Sequence, residues 1–482
     1  MRYVPGVLLL KPNVVEPSAS AREKAKVLLE RRLGPSKVLT DRDACEPFAK
    51  DESEAEGTVP DAVVLAEGPD DVLAALAVAR EAEVPITPRA GGTGRTGGAT
   101  PVAGGIVLSI TKMNAIKEID RREQICVVEP GVILSQLHEA VEREGLFYPP
   151  DPNSVIGCAL GGNVANNSGG PRGFKYGVTG DYVLGIEAFL IGGQRIRAGR
   201  RTKKGVTGYD VTSLLVGSEG TLAVFGDLTL RLVPKPEAVM TLMALFAAER
   251  GAAQAVEEIT ARGLVPRCIE FFDAATLQAV RDAGNPVDAQ AQAMLMIEVD
   301  GDENRLDDYA LRVADACDES GALEVLVAQE AAQRDKLWAA RKEMSPAVRK
   351  LAKNKLSEDV VVPRQQQGEL LARVRATGER LRVRTLAYGH AGDGNFHVNF
   401  LWDEADEVPA VDRAIEQLFR DVIALGGTLT GEHGVGVLKA PYLSLEQSEE
   451  LIGVQRDIKR VFDPLGLLNP GKVFPSTGHG NC

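Results

Sequence analysis

The sequence predicts an α+β protein of two domains, and three observations lead there. Its 482 residues exceed the size at which one hydrophobic core stops growing. From Val59 to about Pro236 the text is glycine-studded, with strand-like pieces and few helices. After Pro234-Lys235-Pro236 it changes to regular alternation: strand TLMALFAA, helix AAQAVEEITAR, strand CIEFFD, helix AATLQAVRDA, strand AMLMIEVDG, helix RLDDYALRVADA, strand LEVLVAQ. That alternation reads as a ferredoxin-like α+β layer.

Taken in order, residues 1–56 read as an N-terminal extension containing an amphipathic helix, Ala21–Arg32, stopped by Gly34-Pro35. The first domain, 57–236, opens with strand VPDAVVLAE, a helix GPDDVLAALAVAREAEV with an acidic first turn, and strand VPITPRA. Further strands are expected in GIVLSI, QICVVEP, VLGIEAFLI and TLAVFGDLTLRLV, with a single good helix at Leu134–Glu144. The second domain is expected over 237–440, and 441–482 as a segment returning to the first. Roughly the last 110 residues read as glycine-rich, histidine-bearing loops.

Composition narrows the class. The net charge is −13, and Lys and Arg form no long run, so a nucleic-acid footprint is missing. The six cysteines are scattered without a C-x-x-C pair, against a disulfide framework, a zinc finger or an iron–sulfur cluster, and a reducing, cytoplasmic setting is expected. The N-terminal apolar run, broken by Pro5 and stopped by Lys11, is short for a secretory signal. No stretch approaches the roughly 20 apolar residues of a membrane span, so membrane contact is expected to be peripheral, through a partner.

Residues 92–97 spell G-x-G-x-x-G, but no helix comes after them. Ala99-Thr100-Pro101-Val102-Ala103-Gly104-Gly105 leads into another strand, so the dinucleotide fingerprint fails its context. Two more loops of small residues, Pro149–Gly170 and Gly208–Phe225, accompany it. Glycine loops let successive backbone N–H groups converge on an anion without a helix. Three in one domain point to a phosphate-bearing cofactor.

These stretches, with GFKYGVTGDYV (Gly173–Val183), resemble the flavoproteins of the vanillyl-alcohol oxidase (PCMH) type, and within them the FAD-linked 2-hydroxyacid dehydrogenases. The likeness spans nearly the whole chain and implies an FAD-binding first domain and a substrate (cap) second domain. It implies pyrophosphate contacts from Arg89, Ala90, Gly91, Gly92, Thr93, Gly94, Gly97 and Gly98. Flavin and ribityl contacts fall to Pro150, Asp151, Ser154, Gly157, Gly161, Gly162, Asn166, Gly169 and Gly170. Glu219 and Gly220 match a motif by the adenine side, and Asn469 of Asn469-Pro470-Gly471-Lys472 one near the flavin. Residues 86–100 hold no His, so the resemblance implies non-covalent FAD.

Three of five histidines lie in YGHAGDGNFHVNF and TGEHGVG. Read alone, His390, His397 and Glu432 fit either a divalent metal site suited to Zn²⁺ or two satisfied loop histidines and a surface glutamate. The resemblance favours zinc, with His433 turned to the flavin. Oxidising a 2-hydroxyacid sends a hydride from C2 to flavin N5 and a proton to a base, and His433 is the expected base. Arg341 and Ser345, in the segment after Trp338, match substrate contacts, as do Asn399 and His433; a guanidinium suits a carboxylate. Ser357 stands where members acting on 2-hydroxyglutarate carry lysine, with Lys355 two residues away, which favours D-lactate or glycolate. His138 and His479 are expected to be structural or exposed.

The expected activity is FAD-dependent oxidation of a small D-2-hydroxyacid to the 2-oxoacid. Electrons would pass to a partner iron–sulfur subunit, an electron-transfer flavoprotein, a cytochrome or a quinone, and a homodimer stays open. The rivals are a same-fold enzyme of other chemistry, such as an alkyl-ether lipid synthase or a reductase, and a non-catalytic FAD-binding subunit of an oxidase complex.

Overall fold

The structure, a computed structural model, describes residues 14–282, 284, 287–328, 333, 338 and 347–475. The described chain divides into two compact units. One comprises residues 14–168, 178–235 and 432–475, the other residues 169–177 and 236–431.

The first unit holds β1 (Val38–Leu39), β2 (Ala62–Leu65), β3 (Ile86–Arg89) and β4 (Ile106–Ser109) in the order β1-β2-β4-β3. The last three run parallel and β1 antiparallel. Between β2 and β3 lies the helix Pro69–Ala82, with Pro at its start and Asp70 and Asp71 in the first turn, where they complement the helix dipole. Its buried face, Val72, Ala75, Leu76 and Ala79, meets Ala25, Leu28 and Leu29 of the helix Ala19–Leu33. The segment expected as an extension thus supplies a helix and an edge strand to this layer. No helix intervenes between β3 and β4; the glycine loop fills that connection.

A five-stranded antiparallel sheet comes next in the same unit, from β5 (Ile116–Asp120) and β6 (Ile125–Val128). A short pair, β7 (Leu146–Phe147) with β11 (Val233–Pro234), flanks it. β8 (Val183–Phe189), β9 (Arg195–Gly199) and β10 (Val224–Arg231) complete it in the order β5-β6-β10-β8-β9.

The second unit carries one seven-stranded sheet. β12 (Ala238–Phe246), β13 (Cys268–Phe272), β14 (Ala293–Gly301) and β15 (Ala322–Ala328) alternate with the helices Glu249–Ala261, Ala274–Asp282 and Glu303–Glu319. β16 (Asn354–Val361), β17 (Arg384–His390) and β18 (Asn395–Trp402) extend it to the order β15-β12-β14-β13-β17-β18-β16. Its first four strands lie fourth-first-third-second, as a ferredoxin-like layer requires.

The end of the chain differs from its expectation as loops. Three long helices, Gln367–Leu381, Val408–Ala424 and Glu449–Phe462, stand before, between and after the two histidine motifs. Val408–Ala424 buries Val411, Ala414, Ile415, Leu418, Phe419 and Val422, a clear helical period.

Candidate active site

The glycine loop is held by its carbonyls. Asn469 Nδ2 donates to Gly98 O (2.9 Å), Arg89 Nη1 to Ala99 O (3.4 Å), Lys472 Nζ to Thr100 O (2.7 Å) and the Val437 amide to Thr96 O (2.8 Å). None of the eight backbone N–H groups from Gly91 through Gly98 finds an acceptor among the described residues. Thr96 and Gly97 are nevertheless buried. Buried donors without acceptors are costly, and consecutive unbonded N–H groups along a glycine turn have the chemistry to receive an anion. A β-carbon on Gly97 (φ +86°) would lie 2.8 Å from Ala55 Cβ.

The second loop packs against the first. A β-carbon on Gly91 would strike the Gly157 carbonyl oxygen, and one on Gly162 would lie 3.3 Å from Ala90 Cβ. Ser154 O accepts from the Gly157 and Cys158 amides (2.8 Å each), and His138 Nε2 bonds Pro150 O (3.0 Å), a structural use of that histidine. Asp151 is half-buried. Asn166, at the end of the helix Leu160–Asn166, donates from Nδ2 to His433 O (3.2 Å), and Thr96 Oγ1 donates to the same oxygen (3.1 Å). The backbone of His433 is therefore fixed between both loops. Gly169 and Gly170 begin the stretch that groups with the other unit.

Glu219 is buried at φ +51° and acts as a staple. Its Oε1 accepts from the Val435 amide (2.7 Å) and its Oε2 from the Gly436 amide (2.8 Å), while Asn469 Nδ2 caps Glu219 O (2.7 Å). Next to it, Gly220 has φ +69°. Burial pushes the Glu219 carboxyl up to about 6, opposed by those two amides and by Lys472 and Lys439. Burial draws Lys472 down to about 7. Because folded Glu219 binds its proton more tightly than its ordinary 4.5, its contribution is fully present below pH 4.5 and is lost as pH rises through about 6, about 2 kcal/mol in all. Urea unfolding across pH 4.5 to 7 is expected to show that decline, and Glu219→Gln to lessen it by about 2 kcal/mol, the remainder belonging to buried Asp273, whose carboxyl burial likewise pushes up to about 6.

In the second unit one face of the sheet is polar and buried. β17 and β18 pair with Tyr388 opposite His397 and His390 opposite Asn395, so alternation puts both histidines on one face. Their rings meet edge to face with centroids 5.4 Å apart, and one ring nitrogen of each lies within 4.8 Å of the other's. Glu270 of β13, opposite His390 in register and fully buried, bonds His390 Nδ1. That contact fixes the tautomer and turns Nε2 outward, as a carboxylate behind a metal-binding histidine does. Asn399 is fully buried; its Nδ2 donates to His397 O (2.9 Å), and its Oδ1 has no hydrogen-bond partner among the described residues.

Asp359, paired with His397, accepts from Asn395 Nδ2, Thr430 Oγ1 (2.8 Å) and the Gly431 amide (2.8 Å). Gly431 ends the second unit, and the next peptide bond leads to Glu432 and His433, where Glu432 Oε1 and His433 Nε2 are 3.9 Å apart. Ser357 shares the face of Asp359 and Asn399, and Lys355 Nζ reaches Tyr388 Oη (3.3 Å). Trp338 Nε1 donates to Glu298. Arg341, Ser345 and His479 lie outside the described residues.

Sequence reasoning missed Glu270, Asp359 and the buried group Arg267, Glu298 and Asp300. Arg267 lies 3.4 Å from Glu298 and 3.6 Å from Asp300. Their signal was present: acids inside the apolar strands CIEFF and AMLMIEVDG mark polar positions on a buried face.

Comparison with known proteins shows the family and the fold. Residues 60–199 match the "FAD binding domain" family model and 235–473 the model "FAD linked oxidases, C-terminal domain". The chain is 41% identical over 420 residues to glycolate oxidase subunit GlcD of Bacillus subtilis (strain 168), covering 86% of this chain and 89% of that one. It is 32% identical to a D-lactate dehydrogenase of Anaerostipes hadrus, covering 92% and 96%. Among solved structures, p-cresol methylhydroxylase with substrate bound superposes at TM-score 0.79 with 17% identity, covering 97% and 100%. An alkyldihydroxyacetonephosphate synthase gives 0.73 with 19% identity, covering 97% and 89%. At such identities the likeness is one of fold, and the fold is the FAD-binding type of p-cresol methylhydroxylase.

Proposed function

Because the chain belongs to the FAD-linked oxidoreductases of the glycolate oxidase and D-lactate dehydrogenase type, we propose that it oxidises D-lactate or glycolate to the 2-oxoacid. The observation that carries this reading is the pair His390 and His397, braced by Glu270 on a buried polar sheet face.

The free N–H groups of Gly91–Gly98 fit a pyrophosphate, and Gly157, Gly162 and Asn166 stand beside that loop to take the rest of a non-covalent FAD. FAD, when bound, supplies the hydride acceptor. The donor set of two imidazoles and Glu432 suits Zn²⁺, which when bound lowers the pKa of a hydroxyl oxygen. His433 takes the hydroxyl proton, its backbone held by Thr96 and Asn166. Asn399 presents Oδ1 as an acceptor, and Arg341 with Ser345 holds the carboxylate. The five described cysteines are buried and scattered, so electrons leave to a partner protein or quinone. The Bacillus relative is itself named as a subunit. No described helix is long and apolar enough to cross a membrane.

Steady-state assays with an artificial acceptor test the substrate. D-lactate or glycolate is expected to turn over faster than L-lactate and D-2-hydroxyglutarate; the reverse order would overturn the assignment. The metal is tested separately by Glu270→Gln. Chelator competition is expected to show zinc held roughly 10- to 100-fold more weakly, with flavin content unchanged. Zinc held equally well would show that Glu270 does not brace a metal-binding histidine.

A further inference from the structure

Lys472 is an ammonium buried inside the first unit with only carbonyls for company. It is 3% exposed, and its Nζ donates to Thr100 O (2.7 Å) and Pro470 O (3.4 Å). Among the described residues no carboxylate stands within ion-pair distance of it. The two acids that act on it through space, Asp51 and Glu219, are already engaged. Asp51 accepts from the Ser53 amide (3.0 Å) and the Ala99 amide (3.3 Å), and Glu219 from the amides of Val435 and Gly436.

The other charges of this layer do not fill the gap. Arg89 and Lys439 are cations too; the first donates to Ala99 O and the second acts on Glu219. Arg95 is exposed and paired with Glu52 (2.8 Å), and Lys459 is paired with Asp463 behind Leu468. A buried ammonium held by carbonyls alone needs a negative charge nearby, or it gives up its proton. The carbonyl that Lys472 grips closes the glycine loop, along which the amides of Gly91–Gly98 lack acceptors among the described residues.

We propose that Lys472 is the buried counter-charge of the FAD pyrophosphate, keeping its proton while the cofactor is bound and releasing it when the cofactor leaves. This rests on the reading that the glycine loop takes that pyrophosphate. The ammonium acts through the low-dielectric interior, across the loop whose end it holds.

The sign of the linkage follows. Burial, opposed by Asp51 and Glu219, draws Lys472 down to about 7. A dianionic pyrophosphate beside it raises it again, so the bound state holds the proton more tightly than the free state. FAD affinity is then full below pH 7 and falls as pH rises through about 7. Glu219, at about 6, is largely ionised already in that upper range.

Dilution of the purified flavin-loaded protein, with released flavin read by fluorescence, tests this. The Kd for FAD is expected to rise roughly tenfold per pH unit from about pH 7.5 to 9. Lys472→Met, of similar length and uncharged, is expected to hold FAD across that range about as weakly as the parent does near pH 9, with unchanged circular dichroism. A parent Kd that is flat over that range, which is read without any variant, would overturn the proposal. So would a Lys472→Met protein with the parental slope. A parent purified without flavin would overturn the FAD reading, and this one with it.

Discussion

Gly91→Ala is expected to fold but to bind FAD poorly. The added methyl group would collide with the Gly157 carbonyl oxygen, a backbone atom that no side-chain rotation can move aside. The two loops must then separate, and the row of N–H groups from Gly91 to Gly98 loses its curvature. Overpacking of this kind costs about 1–3 kcal/mol, which corresponds to roughly 5- to 150-fold in affinity. The core of this layer, formed by Val64, Leu76, Ile86 and Leu108, is untouched. Far-UV circular dichroism should therefore match the parent, while absorbance near 450 nm of the purified protein falls. Full retention of flavin would show that the loops do not need that contact.

His433→Asn is expected to carry the largest loss of activity. The backbone carbonyl at this position is held by Thr96 and Asn166, so the exchange leaves the loop in place and removes only the proton acceptor. Loss of a positioned base costs roughly 10²- to 10⁴-fold in kcat. Flavin content and the dissociation constant for a 2-oxoacid, read from flavin absorbance, should change little. A variant of parental kcat would assign the proton to another group.

Much of the second unit was legible in the sequence. Its seven alternating segments, from TLMALFAA to LEVLVAQ, lie where the periodicity puts them, because each strand is nearly continuous in apolar residues and each helix shows a buried stripe. The glycine loop was legible through its C-terminal neighbours: Pro101, Gly104 and Gly105 cannot continue a helix, and the latter two take φ of +67° and +77°. The C-terminal helices were less legible, because glycine- and histidine-rich motifs flank VPAVDRAIEQLFRDVIA, although its own period is regular.

At the site, the histidines and Asn399 were legible as scarce residues in turn-rich motifs. Glu270 was not, since its meaning depends on the pairing of β13 with β17, 120 residues apart in sequence. Asp359 was hidden for the same reason. Only the register of β16 against β18 reveals that it fixes the chain just before Glu432. The N-terminal helix was legible as a helix but not as part of the first core, because its partner face on Pro69–Ala82 is set by tertiary packing.

We propose that this chain transfers a hydride from a small D-2-hydroxyacid to its flavin. Anaerobic mixing of the flavin-loaded protein with D-lactate, L-lactate, glycolate and D-2-hydroxyglutarate tests it in one experiment. Bleaching of the flavin band by D-lactate or glycolate, with appearance of the 2-oxoacid, is the predicted result. A flavin band unchanged by all four acids would contradict it.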